Sequence, residues 1–287
     1  MEPVARRLFR LVEPIHLVTY LSPEPTEALM ALGLRNYWDG YFAGRAAPLG
    51  RVPAEVVHAI FYNFADGEVS RHIPRVWDTT TPELALAARE RGSVAALRRI
   101  LEDLAEAAGL ARAAELAIKA ATSAPTEGRV MYAALRALPV PEQPVARLWH
   151  AATLLREHRG DGHVAALVAE GIGGTQCHVL HALSEGIPAE KFGRVGHLPV
   201  VRLAAVVQGM RARGLIGPAV GSVTPAGRRS SGSSRSPTTS RHQRTTACGS
   251  ASSTSSSRTS SPSPQPSTLP ARGSQRKRVP MPPSGVL

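Results

Sequence analysis

The chain has 287 residues and a formal net charge of +12, from 34 Lys+Arg against 22 Asp+Glu. Residues 229–287 hold nine of those basic residues, no acidic residue, 18 serines and no aromatic residue, so the first 228 residues carry a net charge of only +3. A membrane span is excluded because no run of 18 apolar residues occurs, and the tail has too few apolar side chains to bury a core.

From the N-terminus, the residues after Met1 lead into an amphipathic pattern interrupted by Glu13 and His16, with no small-residue cleavage site behind it. A secretory signal is not expected, and a cytoplasmic location is. Cys177 and Cys248 lie one in the body and one in the tail, which argues against a disulfide framework and fits a reducing compartment. The first 228 residues suffice for one large or two modest domains.

Apolar residues recur at helical spacing through the body: Val56, Val57, Ile60, Phe61 and Phe64, then Val94, Leu97, Leu101 and Leu104, then Val145, Leu148, Trp149, Ala152 and Leu155. Helix starts are marked by Ser22-Pro23-Glu24 and Thr81-Pro82-Glu83, a capping residue followed by proline at the first helical position. The expected fold class is all-α. A multi-helical N-terminal domain over residues 1–138 contains the aromatic cluster Tyr37, Trp38, Tyr41, Phe42, Phe61, Tyr62, Phe64 and Trp77. These rings either line a pocket or form that domain's core, and their bulk favours the core.

Three prolines within residues 139–144 cannot continue a helix and are expected to form a connector, with a second domain over 145–228. Within it, Arg156 to His163 (Arg-Glu-His-Arg-Gly-Asp-Gly-His) is expected to be a polar turn between two helices. Six of the ten histidines, His150, His158, His163, His178, His181 and His197, fall within 48 residues. His178 and His181 are spaced to share a metal, yet no carboxylate completes a ligand set, so no metal and no cofactor are assigned.

Val164 to Leu183 reads helix, Gly171-Ile172-Gly173-Gly174 turn, helix, which has helix-turn-helix spacing. Downstream, Pro199 opens a helix with Val200, Leu203, Val207 and Met210 on one face and Arg202, Ala205, Gly209 and Arg213 on the other. Gly214 is a helix stop, and Leu215-Ile216 and Ser222-Val223 are expected to pair as a small β-hairpin, the wing of a winged helix-turn-helix. In that reading the small residues Ala205 and Gly209 let the helix approach a duplex, while Arg202, Arg211, Arg213 and Arg228 reach bases or phosphates. The alternative, that helix and hairpin serve only packing or dimerisation, rests on how weakly basic the face is. A hydrolase reading fails because no Gly-x-Ser-x-Gly, His-Glu-x-x-His or phosphate loop is present, and no catalytic residue is assigned.

The stretches 13–20, 33–50, 61–64, 148–163 and 213–216 resemble an actinobacterial helix-turn-helix family often labelled SalK-like, over nearly all of residues 1–228. The resemblance implies a helical protein with a DNA-binding label and no assigned chemistry. Such proteins are expected to continue past the wing with an Ala/Leu/Glu/Asp-rich helix, whereas this chain turns to Ser, Arg, Thr and Pro at about Arg229. In a GC-rich gene, a one-base shift turns Glu, Leu and Asp codons into Ser or Arg, Ser and Thr codons, and Ser236–Ser240 back-reads as Leu-Thr-Asp-Asp-Leu. Residues 229–287 are therefore expected to be either a frameshift product or a disordered basic tail that holds nucleic acid through phosphates.

The function expected is a DNA-binding transcriptional regulator whose helical domain senses a small-molecule effector or mediates homodimerisation. The alternative is a ligand-binding or catalytic helical protein of secondary metabolism, with the winged element only structural. The candidate ligand-binding residues are Trp38, Tyr41, His150, His158 and His163, which the alternative places in one pocket joining the aromatic cluster to the 150–163 segment.

Overall fold

A computed structural model describes residues 2–193 and 198–217. These residues form ten α-helices: α1 Val4–Leu21, α2 Pro23–Met30, α3 Tyr37–Ala46, α4 Ala54–Phe61, α5 Pro82–Leu101, α6 Ala108–Thr122, α7 Val130–Arg136, α8 Pro144–Ala169, α9 Gly174–Ser184 and α10 Val200–Ala212. No strand occurs among the described residues.

The two expected Pro-marked starts are where α2 and α5 begin. Thr81 caps α5 through its side chain, which accepts from the Leu84 N–H at 3.3 Å. Asn36 caps α3 in the same way, accepting from Asp39 N–H at 3.0 Å. Each such cap satisfies an amide that has no partner inside its helix.

At 26 residues, α8 is the longest element, about 39 Å at 1.5 Å per residue. It packs against α1, α5, α6 and α7, so it is the axis of the body and does not open a separate domain. Packing does not part at residues 139–144: Pro144 is the first residue of α8 and Gln143 caps it, its side chain accepting from Ala146 N–H at 2.9 Å. The prolines there make a corner between two helices of one body.

The expected polar turn at 156–163 is also absent, because α8 runs through it. Gly162 serves close approach instead of chain reversal. A Cβ on Gly162 would fall 2.6 Å from Arg129 Nη1, in the place where that guanidinium lies to donate to the His158 carbonyl. Asp161 turns outward to α7 and accepts from the Tyr132 N–H at 2.9 Å, capping that helix from a distance.

The aromatic cluster is core. Phe42, Phe61, Phe64 and Trp77 are buried with Ile73, Met131 and Leu154, and the Phe42 and Phe64 ring centroids are 4.9 Å apart. Where α2 crosses α5 the backbones nearly touch: a Cβ on Gly92 would stand 2.4 Å from Pro25 Cα.

Beyond α8, a four-residue turn leads into α9, as the helix-turn-helix spacing predicts. Gly171 takes φ +62°, and Gln176 reaches back to accept from Gly173 N–H at 2.9 Å. The pair α9 and α10 builds a small apolar core of its own from Val179, Leu183, Phe192, Leu203, Met210 and Ile216. Gly214 ends α10 with φ +70°, and the Leu215 N–H returns to the Met210 carbonyl at 3.0 Å.

The first expected wing strand does not form, because Ile216 is drawn into this core. Its expected partner, Ser222-Val223, lies outside the described residues, as do Arg228, His197, Cys248 and the whole of 229–287. Val200 also departs from expectation: it is 83% exposed at the head of α10, away from the buried face of Leu203 and Met210.

Candidate functional site

Polar residues from distant parts of the sequence meet inside the body. Glu13 and His16, which break the amphipathic pattern of α1, face α8, and His16 Nδ1 lies 3.1 Å from Thr153 Oγ1. Arg45 from α3 donates to Tyr41 OH at 2.9 Å and lies 3.6 Å from Glu157 Oε2. Arg156 Nη1 donates to Glu157 Oε1 at 3.1 Å, and Arg156 Nε stands 3.9 Å from Glu13 Oε1. Below this group Trp149 Nε1 donates to Thr19 Oγ1 at 2.9 Å, and Thr19 shares a 3.1 Å hydrogen bond with Ser93.

The electrostatics follow from burial and these partners. Burial alone would raise the Glu157 carboxyl, but the adjacent guanidiniums of Arg156 and Arg45 outweigh it and hold the pKa down at about 2. Burial first, and the Arg89 guanidinium second, push His150 down to about 4. His16 moves in the same direction for the same first reason, with Arg156 next, so both imidazoles are neutral at pH 7.

A cleft of about 570 Å³, open to solvent, connects this network to the outside. Tyr41, Arg45, Phe61 and Phe64 line one side, and Glu157, Asp161 and His163 the other, with Cys177, His178 and His181 of α9 closing it. The cleft therefore joins the aromatic cluster to the second half of the 150–163 segment.

Among the residues assigned to a ligand, Tyr41 and His163 line this cleft. Trp38 instead stacks edge-on against Tyr37 and Tyr41 in the core, with centroids 5.3 and 5.5 Å away. His150 is 4% exposed and lies apart from the cleft. His158 faces the opposite way, edge-on to Tyr132 at 5.0 Å, in a groove between α1 and α8. Of the two histidines spaced to share a metal, His178 Nε2 lies 2.9 Å from the Asn63 carbonyl and donates to it, while the His181 ring packs on Phe192. Cys177 Sγ sits 3.5 Å from His163 Nε2, and burial raises the thiol's pKa. No group of three or more potential metal ligands occurs among the described residues.

Periodicity hides some of the network's members. Arg45, Arg89 and Glu157 read as surface charges in Ala-rich helices, yet Arg89 is 2% exposed. The available signal is its neighbourhood: Ala85, Ala88, Gly92, Ser93 and Ala96 form a stripe too small to be a solvent-facing accident, and Arg89 lies within it. Asp39 is a second hidden case, buried with its carboxylate held by His72 Nδ1 at 2.6 Å and Arg75 Nη2 at 2.7 Å.

The arginines expected to contact DNA are placed on or beside α10. Arg202 is half exposed and lies 3.1 Å from Asp66. Arg213 donates to the Gly171 carbonyl at 2.8 Å and the Glu170 carbonyl at 3.0 Å, closing the end of α8. Arg211 is half-buried with its Nε enclosed. Between them α10 exposes Val201, Ala204, Ala205, Gln208 and Gly209.

Four residues of the 61–66 segment bind the helical pair to the body. Tyr62 OH donates to the Ile172 carbonyl at 2.7 Å, and a Cβ on Gly174 would fall 2.2 Å from the Tyr62 carbonyl oxygen. Asn63 receives His178, Ala65 packs into the α9–α10 core, and Asp66 meets Arg202. Phe61 and Phe64, interleaved with these, point into the body core.

The model of a helix-turn-helix family matches residues 5–244. No curated protein and no solved structure matches the chain. No helix among the described residues is long and apolar enough to cross a membrane.

Proposed function

Because the chain belongs to this helix-turn-helix family, we propose that it is a DNA-binding transcriptional regulator of the cytoplasm, placed among the SalK-like members by the stretches quoted above. The observation that carries the reading is the outward face of α10. It buries Leu203 and Met210 and presents Ala204, Ala205, Gln208 and Gly209 with Arg202 at one edge. Small and amide side chains on an exposed helix allow close approach to base edges, and the arginine supplies a phosphate or guanine contact.

Arg202 is the contact residue in this reading, while Arg213 acts indirectly by fixing the α8–α9 turn. The cleft between Tyr41 and His163 is the effector site, and the linking segment 61–66 is the route from it to α9. Homodimerisation would supply the second half-site usual for such readers.

A gel shift of the full chain on the DNA upstream of its own gene, between 50 and 200 mM salt, tests this. Binding that weakens steeply with salt is expected. Ala205→Glu, which places a negative charge on an exposed position, is expected to abolish it without lowering stability. Absence of binding at low salt, or binding unaffected by Ala205→Glu and Arg202→Ala, overturns the reading. One observation favours a second reading, a small-molecule-binding helical protein with a purely structural α9–α10 pair: Arg202 and Arg213 are both already engaged within the chain.

A further inference from the structure

Arg89 is the least expected residue in the fold. It projects from the middle of α5 into the body with 2% of its surface exposed, and among the described residues no carboxylate stands within ion-pair distance. It lies over the face of Trp149, with the guanidinium carbon 5.4 Å from the ring. Its Nε and Nη2 are buried and have no hydrogen-bond partner. These two nitrogens form one edge of the guanidinium, and their N–H bonds point the same way, which is the fork that donates to both oxygens of a carboxylate.

A burial of this kind is costly unless a counter-charge is supplied. The charges around it do not supply one. Arg45, Arg89, Arg156 and Arg159 face Glu157 and Glu13, which leaves two positive charges in excess; Glu157 acts on Arg89 only from beyond ion-pair distance, and both carboxylates are committed to Arg45, Arg156 and Arg159.

Arg89 also borders a narrow cavity between α1, α2, α3 and α5, distinct from the larger cleft and separated from it by Tyr41 and Arg45. Thr19 and Tyr20 line its floor with Arg89, and the Tyr20 hydroxyl is buried without a partner. Its walls are apolar, from Leu29, Met30 and Tyr37, of which Met30 and Tyr37 are only half-buried and form the mouth. Gly44 leaves room for the Arg89 stem: a Cβ there would stand 3.6 Å from Arg89 Cδ and 3.2 Å from Leu29 Cδ1. As it stands the floor holds about one water molecule, and Met30, with three rotatable bonds, is the wall that can yield to a guest.

We propose that this cavity is a binding site for a small aliphatic monocarboxylate, its two oxygens on Arg89 Nε and Nη2, one of them also accepting from Tyr20 OH, and its short apolar chain directed past Met30 and Tyr37. Such a guest supplies the missing charge, fills the orphaned donors and leaves an apolar tail on apolar walls. The binding stands by itself, whereas a role as effector would rest on the regulator reading above.

The test is thermal unfolding and titration calorimetry of the full chain with acetate, propionate and butyrate, against propionamide, butyramide and sodium chloride at matched ionic strength. Affinity on the order of 1 mM is expected for butyrate, with a rise in Tm of roughly 2–4 °C at saturating concentration, and no rise with the amides or with chloride. Arg89→Met is expected to remove the carboxylate-dependent rise. Tyr20→Phe, which keeps the ring packing, is expected to weaken butyrate about fivefold to tenfold and decides the matter if Arg89→Met does not fold. The proposal is overturned if no carboxylate raises Tm, if amides or chloride do so equally, or if affinity is unchanged in Tyr20→Phe. Gel shifts with and without butyrate are read separately, so loss of DNA binding leaves the calorimetric result intact.

Discussion

The body and the α9–α10 pair solve the same problem, how to hold helices together, by opposite means. The body buries charge: Glu157, Arg45 and Arg156 knit α1, α3 and α8 through partners far apart in sequence, and Arg89 of α5 lies buried beside them. The pair buries almost only aliphatic and small side chains, and its arginines stay at the rim. Buried ion pairs are poor sources of net stability but strong constraints on which partners fit, because a missing one leaves a charge stranded. An apolar core of about ten residues is tolerant of rearrangement by comparison. The difference assigns geometric exactness to the body and adaptability to the pair, which suits the proposed division into sensor and reader.

Several measurements break or sharpen that contrast. The largest effect belongs to Glu157→Ala, which strands Arg45 and Arg156 and is expected to destabilise the body by about 3–5 kcal/mol in urea unfolding. A loss below about 1 kcal/mol would mean that the network is solvated and not a constraint. Next is acid. The folded pKa of His150 is depressed to about 4, so below its unfolded value near 6.5 the unfolded chain takes up a proton that the folded chain refuses. Stability therefore falls as pH drops from about 6.5 to 4, by about 3 kcal/mol from this residue in full. His16 adds to the fall in the same sense. The Glu157 contribution is present above about pH 4.5 and is lost only as pH falls on towards 2, so the two groups act in separate windows. Unfolding at pH 7, 5.5 and 4.5 checks this, with His150→Phe expected to flatten the slope.

A smaller effect, about 1–3 kcal/mol, is expected from Gly174→Ala, whose methyl would meet the Tyr62 carbonyl. Hydrogen exchange should quicken in α9 and α10 while α5 and α8 stay protected, and uniform quickening would show that body and pair open as one. The smallest is Arg213→Ala, about 1 kcal/mol from two lost hydrogen bonds to the end of α8, seen as local exchange at residues 170–176.

The contrast also explains what could be read from residues alone. Helix identity, the Pro-marked starts of α2 and α5, the α8–α9 turn and the Gly214 stop depend on local rules, and all were legible. So was the aromatic core, since bulk is a property of single residues. The long-range features were not. Arg-Gly-Asp-Gly inside α8 has turn composition, and only the guanidinium of Arg129, some thirty residues upstream, reveals why glycine is there. Glu157 carries no mark of burial and Arg89 only the small-residue stripe around it, because the partners that surround Glu157 and the cavity that faces Arg89 come from other helices. In the ligand assignment, Tyr41 and His163 share a cleft while Trp38, His150 and His158 face elsewhere, a matter of helix rotation that spacing constrains only within one helix.

The two glycines in α8 have one more implication, for the order in which the chain assembles. Each makes the helix about 1 kcal/mol weaker there than alanine would, so residues 160–162 are a soft joint in an otherwise stiff rod. The joint is stiffened from outside, when Arg129 docks on the His158 carbonyl, and the same contact zone lets Asp161 cap α7. Each segment completes the other. The middle of α8 and the start of α7 therefore form in one cooperative step, and a peptide spanning only 144–169 would break into two short frayed helices at the place where the intact protein is continuous.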